Sequence, residues 1–184
     1  MPHFPKFQNR LLAQLPAGEM AALLPYLEPI ELPLGFRIVL AAQKIDYVYF
    51  LESGLGSIVT VSPRGQKAEA GMFGWEGFAP TPPAVGFGQS LHEVVIQSPG
   101  HGHRIELQSL WNLTKRCPFL ANQLSRSSHN LATQVSYTAL SNGVHKINVR
   151  LARWLLMCQD RLGGNEIVIT HDLSRSCLPS GVQV

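Results

Sequence analysis

Apolar residues in the first 27 positions fall at helical intervals. Leu11, Leu12 and Leu15 form one group, and Met20, Leu23, Leu24 and Leu27 form another. Pro16 and Gly18 stand between them, so the pattern predicts two short helices. From Glu28 onward the texture changes to short runs rich in β-branched and aromatic residues, at 30–34, 37–40, 47–51, 57–61, 67–72 and 91–97. Turn signals such as Ser53-Gly54 and Ser62-Pro63-Arg64-Gly65 divide these runs, which predicts a compact antiparallel sandwich or barrel over 28–106. The run 47–51 is apolar or aromatic at every position, as in a strand buried on both faces.

Helical periodicity returns at Leu107. A short helix is expected over 107–115, and Pro118 suits the first turn of a second helix running to about Leu140. In that helix Leu120, Leu124, Leu131 and Val135 recur at fours and sevens, opposite Gln123, Arg126, Asn130 and Gln134. The stripe is narrow, closer to a coiled-coil seam than to a broad core face. Asn142-Gly143 should close the helix. Another is expected over 146–162, ending at Gly163-Gly164, and 166–170 reads as a strand. The chain therefore divides into a helical segment (1–27), a β-rich unit (28–106), a second helical segment (107–141) and a C-terminal segment (142–184).

Composition narrows the class. The 184 residues are 45% hydrophobic and 15% charged, enough apolar surface for a core and too little charge for an intrinsically disordered chain. A net charge of +3 is compatible with an anionic partner without requiring one. The three cysteines, Cys117, Cys158 and Cys177, form no C-x-x-C pair, which argues for reduced thiols rather than a zinc or iron–sulfur site. The first ten residues lack a signal-peptide layout, and no apolar run approaches membrane-spanning length. A soluble, cytoplasmic protein without membrane contact is expected.

Candidate chemistry is sparse. A nucleophile elbow, a metalloprotease helix and a P-loop are all missing from the sequence, so no enzyme activity is expected. His101 and His103 offer two imidazoles but lack a third ligand nearby, and read as turn histidines. Pro2 and His92 could in principle serve as axial haem ligands, yet no C-x-x-C-H motif accompanies them. No cofactor is expected. Lys146, Arg150, Arg153 and Arg161 give the last long helix a basic bias; the first three share one face, and the cluster reads as a solvated basic stripe.

The order of elements and several motifs resemble the Crp/Fnr family of bacterial transcription regulators. The residues that carry the likeness are the run 9–16 opening on Asn9-Arg10-Leu11-Leu12, the run 45–54 from Ile45-Asp46-Tyr47 to Glu52-Ser53-Gly54, and Gly74-Trp75-Glu76-Gly77. Arg150-Leu151-Ala152-Arg153-Trp154 and Thr170-His171-Asp172 complete it. The resemblance implies a mainly β fold with α-helices: a double-stranded β-helix (jelly roll) of the cyclic-nucleotide-binding type. A long dimerisation helix and a C-terminal winged helix-turn-helix should follow. It further implies a homodimer, with 107–141 as its dimerisation helices and Leu124, Leu131 and Val135 in its seam, that senses a small-molecule effector, of unidentified structure, and binds DNA.

Two departures qualify this. Gly74, Glu76 and Gly77 match the start of the phosphate cassette of cyclic-AMP-binding members, but Gln89 and Ser90 stand where its arginine belongs. No Lys or Arg occurs between Lys67 and Arg104. A phosphate without a cation partner lacks charge-assisted hydrogen bonds worth roughly 1.5–3 kcal/mol each, so the effector is expected not to be cyclic AMP. The prolines and glycines over 79–88 favour an irregular loop in place of the cassette helix. The second departure concerns DNA. The chain ends 13 residues beyond His171, which would span only about 20 Å even as one helix. Thr170 and His171 match positions near DNA phosphates, but the rest reads as the remnant of a winged helix. The alternative is a headless sensor or dimerisation module that binds a small ligand, or titrates full-length relatives, without binding DNA.

Overall fold

A computed structural model describes residues 5–162. Thr170, His171, Cys177, Pro2 and the strand expected at 166–170 lie outside the described residues.

The N-terminal helices α1 (Arg10–Ala13) and α2 (Ala17–Leu23) are short and bury Leu11, Leu12, Met20 and Leu23 in the main core. A four-residue helix has little stability of its own. Here Asn9 supplies the missing support: its Oδ1 accepts hydrogen bonds from the Leu11 and Leu12 backbone N–H groups at 3.1 and 3.3 Å. Its Nδ2 donates to the carbonyls of Leu51 (3.0 Å) and Gly77 (2.9 Å). The buried amide thus ties the N-terminus to two parts of the β-roll.

Nine strands follow: β1 (Glu28–Leu32), β2 (Arg37–Val39), β3 (Gln43–Lys44), β4 (Tyr47–Leu51), β5 (Leu55–Val61), β6 (Lys67–Phe73), β7 (Gln89–Ser90), β8 (Glu93–Ser98) and β9 (Gly100–Glu106). They form a three-stranded sheet ordered β1-β9-β4, a four-stranded sheet ordered β2-β8-β5-β6 and a two-stranded ribbon of β3 and β7, all antiparallel. The interior holds Val48, Phe50, Ile58, Phe73, Phe78, Ile96 and Ile105. Val48 to Leu51 of β4 are buried on both faces, as their sequence indicates.

One expectation is corrected here. His101 and His103 are not in a turn; they belong to β9, the central strand of its sheet. Glycine disguises the strand in sequence, because interior glycines weaken strand propensity. Gly102 is needed there: a Cβ would collide with the Phe50 carbonyl of β4. His103 lies beside Glu52, with Nδ1 3.5 Å from Oε1. His101 Nδ1 shares a 2.9 Å hydrogen bond with Ser53 Oγ.

Three helices complete the described chain: α3 (Leu107–Thr114), α4 (Pro118–Val144) and α5 (Ile147–Leu162). Helix α4 passes Asn142-Gly143 by one residue before stopping. It packs along β6, where Gly71 lets it come close: a Cβ there would sit 3.1 Å from Gln134 Oε1 and from Val135 Cγ2. Gln134 then behaves like a strand neighbour. Its Oε1 accepts from the Met72 N–H (2.8 Å) and its Nε2 donates to the Met72 carbonyl (3.1 Å).

The Asn9 arrangement predicts that Asn9→Ala will lower unfolding free energy by about 3 kcal/mol. It loses a helix cap, roughly 1 kcal/mol, and leaves two carbonyls short of donors, at about 1 kcal/mol or more each. Urea denaturation checks this, and a loss below about 1 kcal/mol, no more than the cap alone, would contradict the tie to the roll.

Candidate functional site

The turn after β6, residues 74–78, is held from three sides. Gly77 N–H closes it by donating to the Gly74 carbonyl at 3.2 Å, and Asn9 holds the Gly77 carbonyl. Tyr49 and Ala79 exchange backbone hydrogen bonds of 2.7 and 3.0 Å, pinning the exit onto β4. The following segment contains one 3₁₀ turn, Pro82–Val85, whose Pro83 carbonyl accepts from Trp111 Nε1 at 3.0 Å. The segment 79–88 is thus a loop with a single 3₁₀ turn, in agreement with its Pro/Gly content.

Between this turn and α4 lies a cavity of about 190 Å³. Met72, Phe73 and Phe78 line it from the roll, and Ser127, Asn130, Leu131 and Gln134 from α4. Glu76, Gly77 and Arg161 complete the wall. Gly74 stands at its edge, close enough that a Cβ would lie 3.2 Å from the Arg161 side chain. Of the five residues expected to touch an effector, Glu76 and Gly77 line the cavity. Gln89 and Ser90 do not. They sit in the β3–β7 ribbon, where Gln89 Nε2 donates to the Ala42 carbonyl (2.8 Å) and Ser90 Oγ donates to the His92 carbonyl (2.8 Å).

The cation missing from the roll arrives from elsewhere. Arg161, near the end of α5, donates through Nε to Glu76 Oε1 at 2.6 Å and through Nη1 to the Met157 carbonyl at 2.8 Å. Glu76 therefore pairs with α5 rather than within the roll. Its Oε2 is buried and makes no hydrogen bond among the described residues. Inspection of the window 68–103 could not reveal Arg161, because the partner lies 85 residues away.

Helix α5 itself rests on the outer face of β5 and β6. Register places Ser57 opposite Met72 and Val59 opposite Glu69 on that face, with Ile58 and Phe73 turned to the interior. A bulge between Ile58 and Val59 brings Glu69 outward; bulges commonly re-aim a side chain in this way. Glu69 accepts from Ser57 Oγ at 2.6 Å and from Trp154 Nε1 at 2.9 Å. Leu55, Met72, Trp154 and Cys158 form a second, smaller apolar cluster beneath the helix. Burial raises the Glu69 pKa above the usual carboxylate range, against the opposing pull of Ser57, Trp154 and Arg161. Burial, with the Glu69 charge second, pushes the Cys158 thiol up to about 12.

The basic stripe is only partly solvated. Arg153 Nη1 donates to Thr138 Oγ1 of α4 at 3.2 Å, and Arg161 is 12% exposed. The expected dimer seam also needs correction. Leu124 is 1% exposed and belongs to the protomer's own core, Leu131 packs against that core, and Val135 lies over Gly71. The stripe that periodicity picked out faces the roll because α4 must cover β6. The opposite face of α4 exposes Tyr137 (60%), Leu140 (55%) and Val144 (65%).

With this geometry in place, the chain can be compared with known proteins. A β-roll of two main antiparallel sheets, with a pinned turn beneath a long helix, is the fold of cyclic-nucleotide-binding-type domains. Solved structures bear this out, and those similar to the chain include Crp/Fnr-family regulators. A regulator assigned to the Crp/Fnr family from Eubacterium rectale aligns over 90% of this chain and 77% of its own, with a TM-score of 0.68 and 16% identity. The c-di-GMP-responsive global regulator CLP of Xanthomonas campestris aligns over 81% and 75%, with a TM-score of 0.66 and 14% identity. The guanosine-bound regulatory subunit of a cAMP-independent protein kinase A from Trypanosoma cruzi aligns over 74% and 48%, with a TM-score of 0.57 and 14% identity. No family model and no curated protein matches. Among the described residues no helix is long and apolar enough to cross a membrane.

The environment of Glu69 predicts a pH effect. Its folded-state pKa is raised, so the folded protein keeps a proton that the unfolded chain releases, and stability falls as pH rises through that window. Glu69→Gln removes the titration. Relative to wild type the variant should gain stability near neutral pH, with the gap closing as pH drops below the ordinary carboxylate range. Urea midpoints between acid and neutral pH test this; a gap that stays constant or widens toward acid would contradict it.

Proposed function

We propose that this chain is the sensor portion of a Crp/Fnr-type transcription regulator and has no catalytic activity of its own. A small effector enters the cavity between the 74–78 turn and α4, and α4 and α5 pass the signal to a DNA-binding head. The single observation that carries this reading is the cavity itself. It lies where a turn matching the start of the nucleotide cassette meets the long helix, and Glu76, Ser127, Asn130, Gln134 and Arg161 are the polar residues of its lining.

Cyclic AMP is not the proposed effector. Arg161, the one cation among the cavity's described lining residues, is already paired with Glu76, which leaves a cyclic phosphate without a cation partner. Relatives in fold are in keeping with other ligands: one responds to c-di-GMP and another holds guanosine in a cAMP-independent kinase subunit.

The proposed functional unit is a homodimer, with its seam on the exposed face of α4. Thr133, Tyr137, Leu140 and Val144 repeat at spacings of four and three, the a/d pattern of a two-stranded coiled coil. Leu140→Asp should therefore shift sedimentation from dimer to monomer while leaving the fold intact, whereas Leu131→Asp should unfold the roll–helix junction. A wild type that sediments as a monomer, or a Leu140→Asp variant that stays dimeric, would contradict this seam.

Effector choice is checked by calorimetric titration of the wild-type chain. Millimolar cyclic AMP should give no binding heat, and a micromolar affinity would overturn the argument from the paired arginine. DNA contact is checked by anisotropy of a labelled duplex; binding carried by basic side chains must weaken as salt rises.

A further inference from the structure

Helix α5 meets the roll at two carboxylates in matched register. Trp154 bonds Glu69 and Arg161 bonds Glu76, each pair 85 residues apart in sequence. Between them Cys158 is fully buried against Leu55 and Met72. Trp154, Cys158 and Arg161 are spaced by four and three residues, so one face of α5 makes all three contacts. Arg161 also forms part of the cavity wall, and on its other side it borders a second cleft with Arg10, Trp75, Glu76 and Asp160.

We infer that the Arg161–Glu76 ion pair is a latch that docks α5 on the roll and holds the effector cavity closed. The inference rests on the cavity being the effector site. It adds how that site is controlled. A ligand that takes up the Glu76 carboxylate, or that needs more than the available volume, must part Glu76 from Arg161. Because α5 docking and ligand entry draw on the same carboxylate, each opposes the other, and the coupling is reciprocal. With Arg161 displaced, α5 loses its ion pair to the 74–78 turn and keeps the Trp154–Glu69 bond, the Arg153–Thr138 bond to α4 and a small apolar cluster, so ligand entry loosens the helix that leads toward the chain's C-terminal segment. The pair is only partly shielded, with the side chains 12% and 30% exposed, which leaves it open to competition from an incoming ligand.

Cys158 provides a direct readout. It is 0% exposed beneath docked α5, and Cys117, at 2%, is an internal control at the start of α4. The full-length wild type, Arg161→Gln and Glu76→Gln are pulse-labelled with N-ethylmaleimide, and modification is followed at each cysteine by peptide mass spectrometry. The latch predicts that either variant raises Cys158 labelling about tenfold or more, the equivalent of losing about 1.4 kcal/mol of local docking free energy. Cys117 labelling should not change, and the double variant should label no faster than the single ones. The charge-reversed pair Glu76→Arg/Arg161→Glu should restore slow labelling. Unchanged Cys158 labelling in both single variants, or acceleration of Cys158 and Cys117 together, would overturn the latch. No ligand is added, so the result stands apart from the effector reading: a working latch with no ligand for the opened cavity would count against that reading alone.

Discussion

Among the described residues strand β6 is one edge of its four-stranded sheet, and α4 and α5 are arranged to cover it. An edge strand presents backbone donors and acceptors with no neighbour, which invites pairing with other chains unless something occupies it. Here Gln134 supplies an amide that bonds both the N–H and the carbonyl of Met72. Gly71 supplies the clearance for that approach, and the bulge beside it turns Glu69 to the outer face, where Trp154 reaches it. Each device answers the same constraint, and together they fix where α4 and α5 lie.

The cavity follows from this arrangement. Helix α4 has to stay close to Met72, yet the 74–78 turn, tied to Asn9 and β4, projects toward it, and the space left between them is lined by polar and apolar groups of both. Arg161 closes one side because α5 is already anchored at Glu69 two turns earlier. Under the proposed latch, sensing and helix position share atoms, because Glu76 serves either a ligand or Arg161. A two-state element of that kind would convert a local contact into a larger movement.

Much of the fold was legible in the sequence because strand alternation, turn residues and helical periods agree over most of 9–162. The exceptions have physical reasons. Strand β9 is hidden by Gly100 and Gly102, whose lack of side chains is required by the close approach of the Ser53-Gly54 turn and of β4. The stripe Leu124, Leu131 and Val135 was read correctly as apolar, but periodicity cannot say whether a stripe meets its own sheet or another protomer. Glu76 and Gly77, which the local motif singles out, line the cavity, while Gln89 and Ser90 lie in the β3–β7 ribbon. Arg161 could not be found by scanning near the turn, since its role depends on α5 folding back. The one local hint was the spacing of Trp154, Cys158 and Arg161, which gives that helix a face with an indole, a thiol and a cation.

The central claim is that β6, α4 and α5 behave as one packed unit in the absence of ligand. Amide hydrogen exchange of the wild-type chain measures this most directly, because exchange reports local opening free energies element by element. The account predicts that amides in the interior of α5 are protected to a degree approaching those of α4 and β6. If α5 exchanged near the rate of an unprotected helix while α4 and β6 stayed protected, the helix would not be docked and the account would be contradicted.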